Sequence, residues 1–183
     1  MPAVRPRSFE LAAPVTAADH LAGPERAPVV LVEYGDFECP NCKQAAPAVK
    51  QLLARFAGKV RFAYRHFPLE GVHPRALQAA EAAESAAAQG RFWEMHDLLF
   101  DNQARLGLDD LNRYAEQLGL DAIRYEADMQ QHAWLARIRA DIDSGERSGV
   151  RSTPGFFLNG RIHDVSFGLR SLFDATALLL KDG

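Results

Sequence analysis

The sequence has few cysteines, no long hydrophobic run and no excess of positive charge. Its 183 residues include only two cysteines, too few for a disulfide-stapled scaffold or for a four-thiolate zinc site. No apolar stretch approaches the roughly 20 residues that a membrane-spanning helix needs. Lysine and arginine number 21 against 24 acidic residues, which is not the basic balance of a nucleic-acid-binding protein. We therefore expect neither a nucleic-acid partner nor a membrane partner.

The start of the chain also lacks the apolar core of a secretory signal, although it carries basic residues. Its scattered prolines and alanines predict an extended N-terminal arm over residues 1–28. The sequence therefore predicts a cytoplasmic protein, with a periplasmic or exported location as the alternative if Met1 is not the native start. Hydrophobic residues at 48% and charged residues at 25% are typical of a globular chain.

Hydrophobic spacing predicts a β-α-β unit over residues 29–68. Residues 29–32 are a continuous apolar run rich in β-branched side chains, which indicates a strand buried on both faces. Apolar residues then recur at helical spacing from Val49 to Phe56, and the helix is expected to end near Gly58. Residues 60–64 alternate well enough to form a second strand.

A helical block follows over residues 69–149, and strands return only after it. Five helices are expected there: an alanine-rich helix over 76–89, one over 92–100, one capped by Asp109 or Asp110, one opened by Asp121 and one with Trp134, Ile138 and Ile142 in its buried stripe. Residues 155–163 contain an Asn-Gly turn between two apolar runs and predict a β-hairpin, with a closing amphipathic helix over 169–180. The predicted fold is α/β with an inserted all-helical domain.

The cysteines Cys39 and Cys42 flank Pro40 and Asn41 at the start of the first helix. Proline suits the first helical turn, and two residues at this spacing place their sulfurs one turn apart. Cys39 then lies at the positive end of the helix dipole, where backbone N–H groups stabilise a thiolate. A thiolate is the species that attacks a disulfide, so we predict Cys39 as the nucleophile and Cys42 as the resolving thiol.

A metal site and a purely structural role are the two alternatives for the cysteine pair. The pair resembles half of a zinc site, but no second pair exists and the six histidines show no close ligand pairing on one helix face. Two buried, inert thiols are the remaining alternative. No nucleotide, flavin or haem motif is found, so the predicted cofactor is the dithiol itself and no metal is expected. With two cysteines only, recycling requires an external redox partner.

Thr153-Pro154 precedes the predicted hairpin, where a central strand does not usually admit a proline. A cis bond there would expose a backbone edge beside the cysteines, and a peptide could pair with that edge as an added strand. The alternative is a trans proline that simply enters a strand. A peptide-binding chaperone or adaptor with incidental thiols is accordingly the rival function.

Residues 37–42 (FECPNC) and 153–157 (TPGFF), separated by a helical block, resemble the DsbA-like thiol-disulfide oxidoreductases of the thioredoxin superfamily. Residues 64–68 and 90–96 share the likeness. The resemblance implies a thioredoxin fold built from 29–68 and 150–183, with 69–149 inserted. It also implies that Pro154 is cis, and that the dithiol is exchanged with protein, peptide or small-thiol substrates. Oxidase, reductase and isomerase directions all remain open, as does the oligomeric state.

Two positions depart from the pattern of that family. Asn41 stands where strongly oxidising members carry a histidine; it brings no positive charge, so we expect a less depressed Cys39 pKa and a milder oxidant. Ser152 stands where relatives often have glycine, which is expected to narrow the substrate edge.

Three further side chains are candidates for the site. Glu33, six residues before Cys39, matches the family's buried carboxylate and could accept the Cys42 proton, unless it reaches solvent at the strand end. Phe37 is either an apolar platform for substrate or a packing residue against the helical block. His73, at the junction into that block, either borders the cleft or serves as a capping or surface residue.

Overall fold

The sheet is built around two parallel strands that the chain connects through a helix. The computed structural model describes residues 10–182. Strand β2 pairs in parallel with β3, β1 is antiparallel to β3, β4 is antiparallel to β2, and β5 is antiparallel to β4. The strand order is therefore β1-β3-β2-β4-β5. The strands span His20–Ala22 (β1), Val29–Gly35 (β2), Val60–His66 (β3), Gly155–Leu158 (β4) and Arg161–His163 (β5).

The predicted β-α-β unit is confirmed. Six of the seven residues of β2 are buried, as a continuous apolar run at the centre of a sheet requires. Helix α1 (Pro40–Arg55) crosses from β2 to β3 and buries the face that carries Cys42, Ala45, Val49 and Leu52. The start of this helix therefore lies at the carboxyl end of the central strand.

Five helices separate β3 from β4, as predicted, and a final helix closes the chain. Asp121 caps the fourth of the five by accepting a hydrogen bond from the Arg124 N–H at 3.0 Å. The expected Asp109 or Asp110 cap of the third is wrong, because Gly107 occupies the cap and Asp110 accepts the Gly107 N–H from within the first turn. The helices span Ala76–Ala87 (α2), Phe92–Asp101 (α3), Leu108–Gln117 (α4), Ala122–Gln130 (α5), Leu135–Arg147 (α6) and Arg170–Leu179 (α7).

The predicted arm over 1–28 contains a strand that the sequence pattern does not indicate. Residues 20–22 form β1 against β3, and Trp93 Nε1 donates to the Leu21 carbonyl at 3.1 Å. The Arg65 side chain also fastens this segment, through Asp19 at 2.7 Å. A strand of three residues is too short to show a periodic pattern, since its partner alone defines it. Residues 1–9 lie outside the described part of the chain, and the predicted domain boundaries stay a prediction.

Apolar side chains cover both faces of the sheet. The larger core joins β2 and β3 to α1 and the helical block, and the smaller one surrounds Tyr34, Phe67 and Phe157 on the opposite face. Among the helices of residues 10–182, none combines the length and the hydrophobicity needed to cross a membrane.

Candidate active site

The two cysteines lie at the tip of α1, where the sequence places them. Cys39 is the N-cap residue and Pro40 occupies the first helical turn. The two Sγ atoms are 3.8 Å apart and are not bonded. Cys39 keeps 5% of its surface exposed, whereas Cys42 keeps none. An incoming disulfide can therefore reach Cys39 but not Cys42.

The surroundings of Cys39 favour its thiolate. The Cys42 thiol donates to the Cys39 sulfur and is the main cause that lowers the pKa of Cys39 to about 5, against the opposing effect of burial. Thr153 and the backbone N–H groups of Cys42 and Asn41 lower this pKa further. Asn41 thus contributes through its backbone at the helix N-terminus, as the dipole argument requires. This value lies between the ~3.5 of the strongest oxidants and the ~7 of thioredoxin, and the milder poise expected from Asn41 stays a prediction.

The surroundings of Cys42 have the opposite effect on its pKa. Burial raises its pKa well above the ordinary value of a thiol, and the hydrogen bond to Cys39 and the charge of Glu33 add to that effect. The pair therefore combines one sulfur that is ionised at neutral pH with one that holds its proton. Resolution by Cys42 consequently needs a group that takes this proton.

Glu33 lies beneath the pair, near the end of β2. Its side chain is 2% exposed, so the alternative in which it reaches solvent is wrong. Its Oε1 has no hydrogen-bond partner among the described residues. Burial, and after it the negative charge of Cys39, raise the pKa of Glu33 to about 8. A carboxyl group in this state can exchange a proton near neutral pH.

The Thr153-Pro154 segment lies against the cysteines although 114 residues separate Thr153 from Cys39. The Cys39 Sγ atom lies 3.3 Å from the Thr153 carbonyl oxygen, and the Thr153–Pro154 peptide bond is cis. Ser152 is exposed at the edge of this segment. A groove of about 640 Å³ runs beside it, lined by Asn41, Ser152 and Pro154 together with residues of β5 and of the turn before α7.

Phe37 does not line this groove, and its prediction as a substrate platform is wrong. The side chain is 1% exposed and packs on the helical block, with its ring centroid 5.0 Å from that of Phe100 and 5.5 Å from that of Tyr64. A large apolar ring directly before the exposed end of a helix gains more from burial against neighbouring helices than from exposure. The packing alternative is the correct one.

Two residues at the site are absent from the sequence-based set. Asp36 is buried in the loop between β2 and α1. Its carboxylate accepts hydrogen bonds from the N–H groups of Glu38 and Leu69 and forms a third hydrogen bond with His73 Nδ1. Tyr64, directly opposite Glu33 in the β2–β3 register, is fully buried and its hydroxyl has no partner among the described residues. An acidic residue three positions before the first cysteine is a local signal that could have identified Asp36.

Residues 16–172 match the sequence model of a family described as Thioredoxin. The chain belongs to the thioredoxin family. Its inserted helices and cysteine loop make it a DsbA-like member of that superfamily, and the fold predicted from sequence is confirmed. Among solved structures it is similar to BdbD from Bacillus subtilis, with 21% identity, a TM-score of 0.80 and coverage of 89% of this chain and 93% of that one. It is also similar to Pseudomonas aeruginosa DsbA2, with 25% identity, a TM-score of 0.71 and coverage of 93% and 98%.

Curated relatives of this thioredoxin-family chain are longer proteins with a different name. The chain is 51% identical over 84% of its length to a protein named Na(+)/H(+) antiporter NhaA 3 from Salinispora tropica, of which the match covers 24%. It is 44% identical over 86% of its length to Na(+)/H(+) antiporter NhaA 1 from Mycobacterium sp., with 26% of that protein covered. The chain thus spans about a quarter of the curated relatives it matches.

Proposed function

We propose that this chain is a thiol-disulfide oxidoreductase that exchanges its Cys39–Cys42 dithiol with protein, peptide or small-thiol disulfides. The observation that carries the proposal is the state of the two sulfurs. They lie 3.8 Å apart at a helix tip, with the pKa of the accessible one lowered to about 5 and that of the buried one raised. Two equivalent structural thiols have no need of such a difference, whereas a nucleophile and a resolving thiol do.

The reaction proceeds in two exchange steps. The Cys39 thiolate attacks one sulfur of the substrate disulfide and forms a mixed disulfide, and the other substrate sulfur leaves as a thiolate that takes up a proton. Cys42 then gives its proton to the Glu33 carboxylate and attacks the Cys39 sulfur. The bond between Cys39 and the substrate breaks, and the second substrate sulfur leaves as a thiolate that takes up a proton. Cys39 and Cys42 are left joined as a disulfide, oxidised by two electrons. In the oxidase direction the steps run in reverse.

The charge of Cys39 sets the timing of the proton transfer to Glu33. While Cys39 is a thiolate, its charge helps to hold the pKa of Glu33 up near 8. That charge disappears when the mixed disulfide forms, so a larger fraction of Glu33 becomes ionised and able to accept the Cys42 proton. Formation of the intermediate thereby prepares the base for the next step.

The substrate chain binds along the Thr153–Pro154 edge, within reach of Cys39. The groove there is open to solvent and is lined by Ser152, Pro154 and Asn41. The exposed Ser152 side chain narrows its entrance. The dithiol serves as the cofactor, an external redox partner recycles it, and the cytoplasm is the proposed compartment.

The test is turnover by serine variants in insulin reduction and in oxidation of a reduced model protein. We expect Cys39→Ser to abolish turnover and Cys42→Ser to accumulate the mixed disulfide, with both variants folded by circular dichroism. Wild-type turnover in Cys39→Ser would overturn the assignment. The chaperone or adaptor alternative would be favoured by two results together. The parent would show no measurable turnover, and a Cys39→Ser, Cys42→Ser double variant would suppress client aggregation as well as the parent does.

The names of the curated relatives favour a second proposal, which concerns a reaction partner of this chain. Because a segment similar to this chain makes up about a quarter of each of these antiporters, we infer, against the sequence-based expectation of no membrane partner, that a Na⁺/H⁺ antiporter is a disulfide-exchange partner of this module. Cys42→Ser incubated with oxidised antiporter-containing membranes should trap the antiporter as a mixed disulfide, and Cys39→Ser should not. No trapping under conditions in which insulin is trapped would remove this partner and leave the exchange activity standing.

A further inference from the structure

We propose that His73 is a positioning residue for the exchange reaction: held by Asp36 against the loop that precedes Cys39, its imidazolium stabilises the Cys39 thiolate and supplies the positive charge that Asn41 lacks. The inference rests on the proposed function, because it concerns the nucleophile of that reaction. The sequence pattern at 39–42 does not contain this group, and His73 has no role in the two exchange steps described above.

The anchor of His73 is a buried carboxylate. The Asp36 side chain is fully buried, and its Oδ2 lies 2.8 Å from His73 Nδ1. Its two oxygens also accept the N–H groups of Glu38 at 2.7 Å and of Leu69 at 2.8 Å. Asp36 thereby fixes the imidazole ring and the cysteine loop with the same group. Its carbonyl oxygen in turn accepts the Cys39 N–H at 3.1 Å.

A second contact holds the same two segments together. Glu38, the residue before Cys39, accepts the Arg75 N–H through Oε2 at 2.7 Å. The segment 69–75 is therefore tied to the loop 36–38 on both sides of His73. The His73 side chain remains 20% exposed, so its proton exchanges with solvent while its ring stays beside the loop.

The groups that face His73 are negative. Partial burial lowers the pKa of His73, but the hydrogen bond and charge of Asp36, the charge of Cys39 and the charge of Glu38 together raise it above its ordinary value of 6.5. The interaction with Cys39 is reciprocal: a thiolate that favours the imidazolium is itself favoured by it, by the same free energy. His73 and Cys39 are therefore coupled proton sites.

The coupling has a consequence for the redox couple. The imidazolium stabilises the reduced protein, because only that form contains a thiolate. Stabilising the reduced form makes a couple more oxidising. Oxidation removes the thiolate, lowers the pKa of His73 and releases part of its proton to solvent. His73 therefore restores part of the oxidising strength that the couple is expected to lose because Asn41 carries no charge. This effect is strongest at a pH below the pKa of His73, where the imidazole is protonated.

The direct test is the titration of His73 followed by NMR in reduced and oxidised protein. We expect the pKa of His73 to be about half a unit higher in the reduced form, as partial solvent exposure weakens the charge interaction. The difference should vanish in Cys39→Ser, which keeps Asp36 and Glu38 but lacks the thiolate. Equal pKa values in reduced and oxidised wild-type protein would overturn the proposal.

Two variants separate charge from structure. In His73→Asn the side-chain amide can still donate to Asp36 but carries no charge, whereas His73→Phe removes both. We expect both variants to raise the Cys39 pKa by about half a unit. The ultraviolet absorbance of the thiolate measures this pKa. Both should then shift the equilibrium with glutathione about threefold towards oxidised protein.

His132→Asn is the matched control, because His132 lies away from the site and bonds Glu81 on the helical block; it should leave both quantities unchanged. A wild-type Cys39 pKa in His73→Asn would show that the imidazole acts only as a structural contact and would overturn the inference. That result, with normal wild-type turnover, would leave the proposed function intact. Wild-type turnover in Cys39→Ser would remove the function whatever the His73 variants show.

Discussion

Two glutamates, Glu33 and Glu84, are each 2% exposed, yet their surroundings differ completely. Glu33 has an oxygen with no hydrogen-bond partner among the described residues, and burial raises its pKa to about 8. Glu84 is contacted by His20 at 2.5 Å, His66 at 2.7 Å and Arg137 at 2.9 Å. Although burial opposes it, the hydrogen bonds from both histidines hold the pKa of Glu84 well below its usual range.

The contrast shows that partners, rather than burial alone, decide the charge of a buried carboxyl. Glu84 lies on α2 and binds side chains from β1, β3 and α6, so it ties the helical block to the edge of the sheet. Glu33 has the two cysteines for neighbours and no ion pair with a cation among residues 10–182, so it can gain or lose a proton as the charges of the cysteines change. One arrangement stabilises the fold and the other suits proton transfer.

The Glu84 cluster also resembles a set of metal ligands. His20, His66 and Glu84 place three ligand atoms within 4.8 Å of one another, and two histidines with a carboxylate are a known set for divalent metals. The second oxygen of Glu84, however, contacts the Arg137 guanidinium. A divalent ion there would face that fixed positive charge at close range. The cluster is therefore best described as a buried ion-pair network.

The largest expected effect comes from neutralising Glu84. Glu84→Gln leaves His20, His66 and Arg137 without their anion, and we expect it to lower the free energy of unfolding at pH 7 by about 3 kcal/mol. A carboxyl with a lowered folded pKa stabilises the protein above its unfolded value of 4.5 and loses that effect as the pH falls. The difference between variant and parent should accordingly shrink in acid.

Denaturant unfolding at several pH values measures this effect, with the exposed Glu126→Gln as the control. Glu126→Gln should stay within about 0.5 kcal/mol of the parent. A loss below about 1 kcal/mol in Glu84→Gln would mean that the network adds little to stability and that the two glutamates are less different than their contacts indicate.

We expect Glu33→Gln to raise the free energy of unfolding at high pH, whereas Glu84→Gln lowers it. Because the folded pKa of Glu33 is raised, the folded state binds more protons than the unfolded state between pH 4.5 and about 8. The parent should lose stability across that window, whereas the glutamine variant should not. We expect the variant to be more stable at pH 9, on the order of 3 kcal/mol, and equal to the parent near pH 4.

Unfolding curves in a Cys39→Ser background measure this difference without interference from the thiolate. The same stability difference at pH 4 and pH 9 would contradict a raised pKa. With both cysteines present, the Glu33→Gln variant should also resolve the mixed disulfide at least about tenfold more slowly. Stopped-flow measurement of mixed-disulfide decay tests this, and a wild-type rate would remove Glu33 as the proton acceptor.

The sequence predicts the burial of Glu33 but not the contacts of Glu84, for a physical reason. Glu33 is defined by local signals, since it ends a buried apolar run and stands six residues before Cys39. Glu84 lies in an alanine-rich helix, and its partners come from residues 20, 66 and 137, which only the tertiary fold brings together. The Asp36–His73 contact joins two distant segments in the same way.

The distinction between local sequence signals and tertiary contacts also applies to the helices and strands. Helices α2 to α6 and the β4–β5 hairpin follow from spacing and turn residues within each segment, and they are predicted correctly. Strand β1 depends on a segment far away in the chain and is missed. The burial of Phe37 also depends on distant segments, and the sequence gives it only as one of two alternatives. Local periodicity thus predicts the elements, but not every pairing between them.

The smallest expected effect concerns Tyr64, which faces Glu33 across the β2–β3 pair. Tyr64→Phe removes a buried hydroxyl that has no partner among the described residues and keeps the ring, so the free energy of unfolding should stay equal or rise by less than about 1 kcal/mol. Tyr34→Phe is the matched control: Tyr34 is equally buried, but its hydroxyl bonds Ser144 at 2.8 Å and Arg65 at 2.9 Å. That variant should lose about 1–2 kcal/mol. Equal losses in the two variants would mean that the Tyr64 hydroxyl has a partner beside Glu33, and Glu33 would then resemble Glu84 more closely than its contacts suggest.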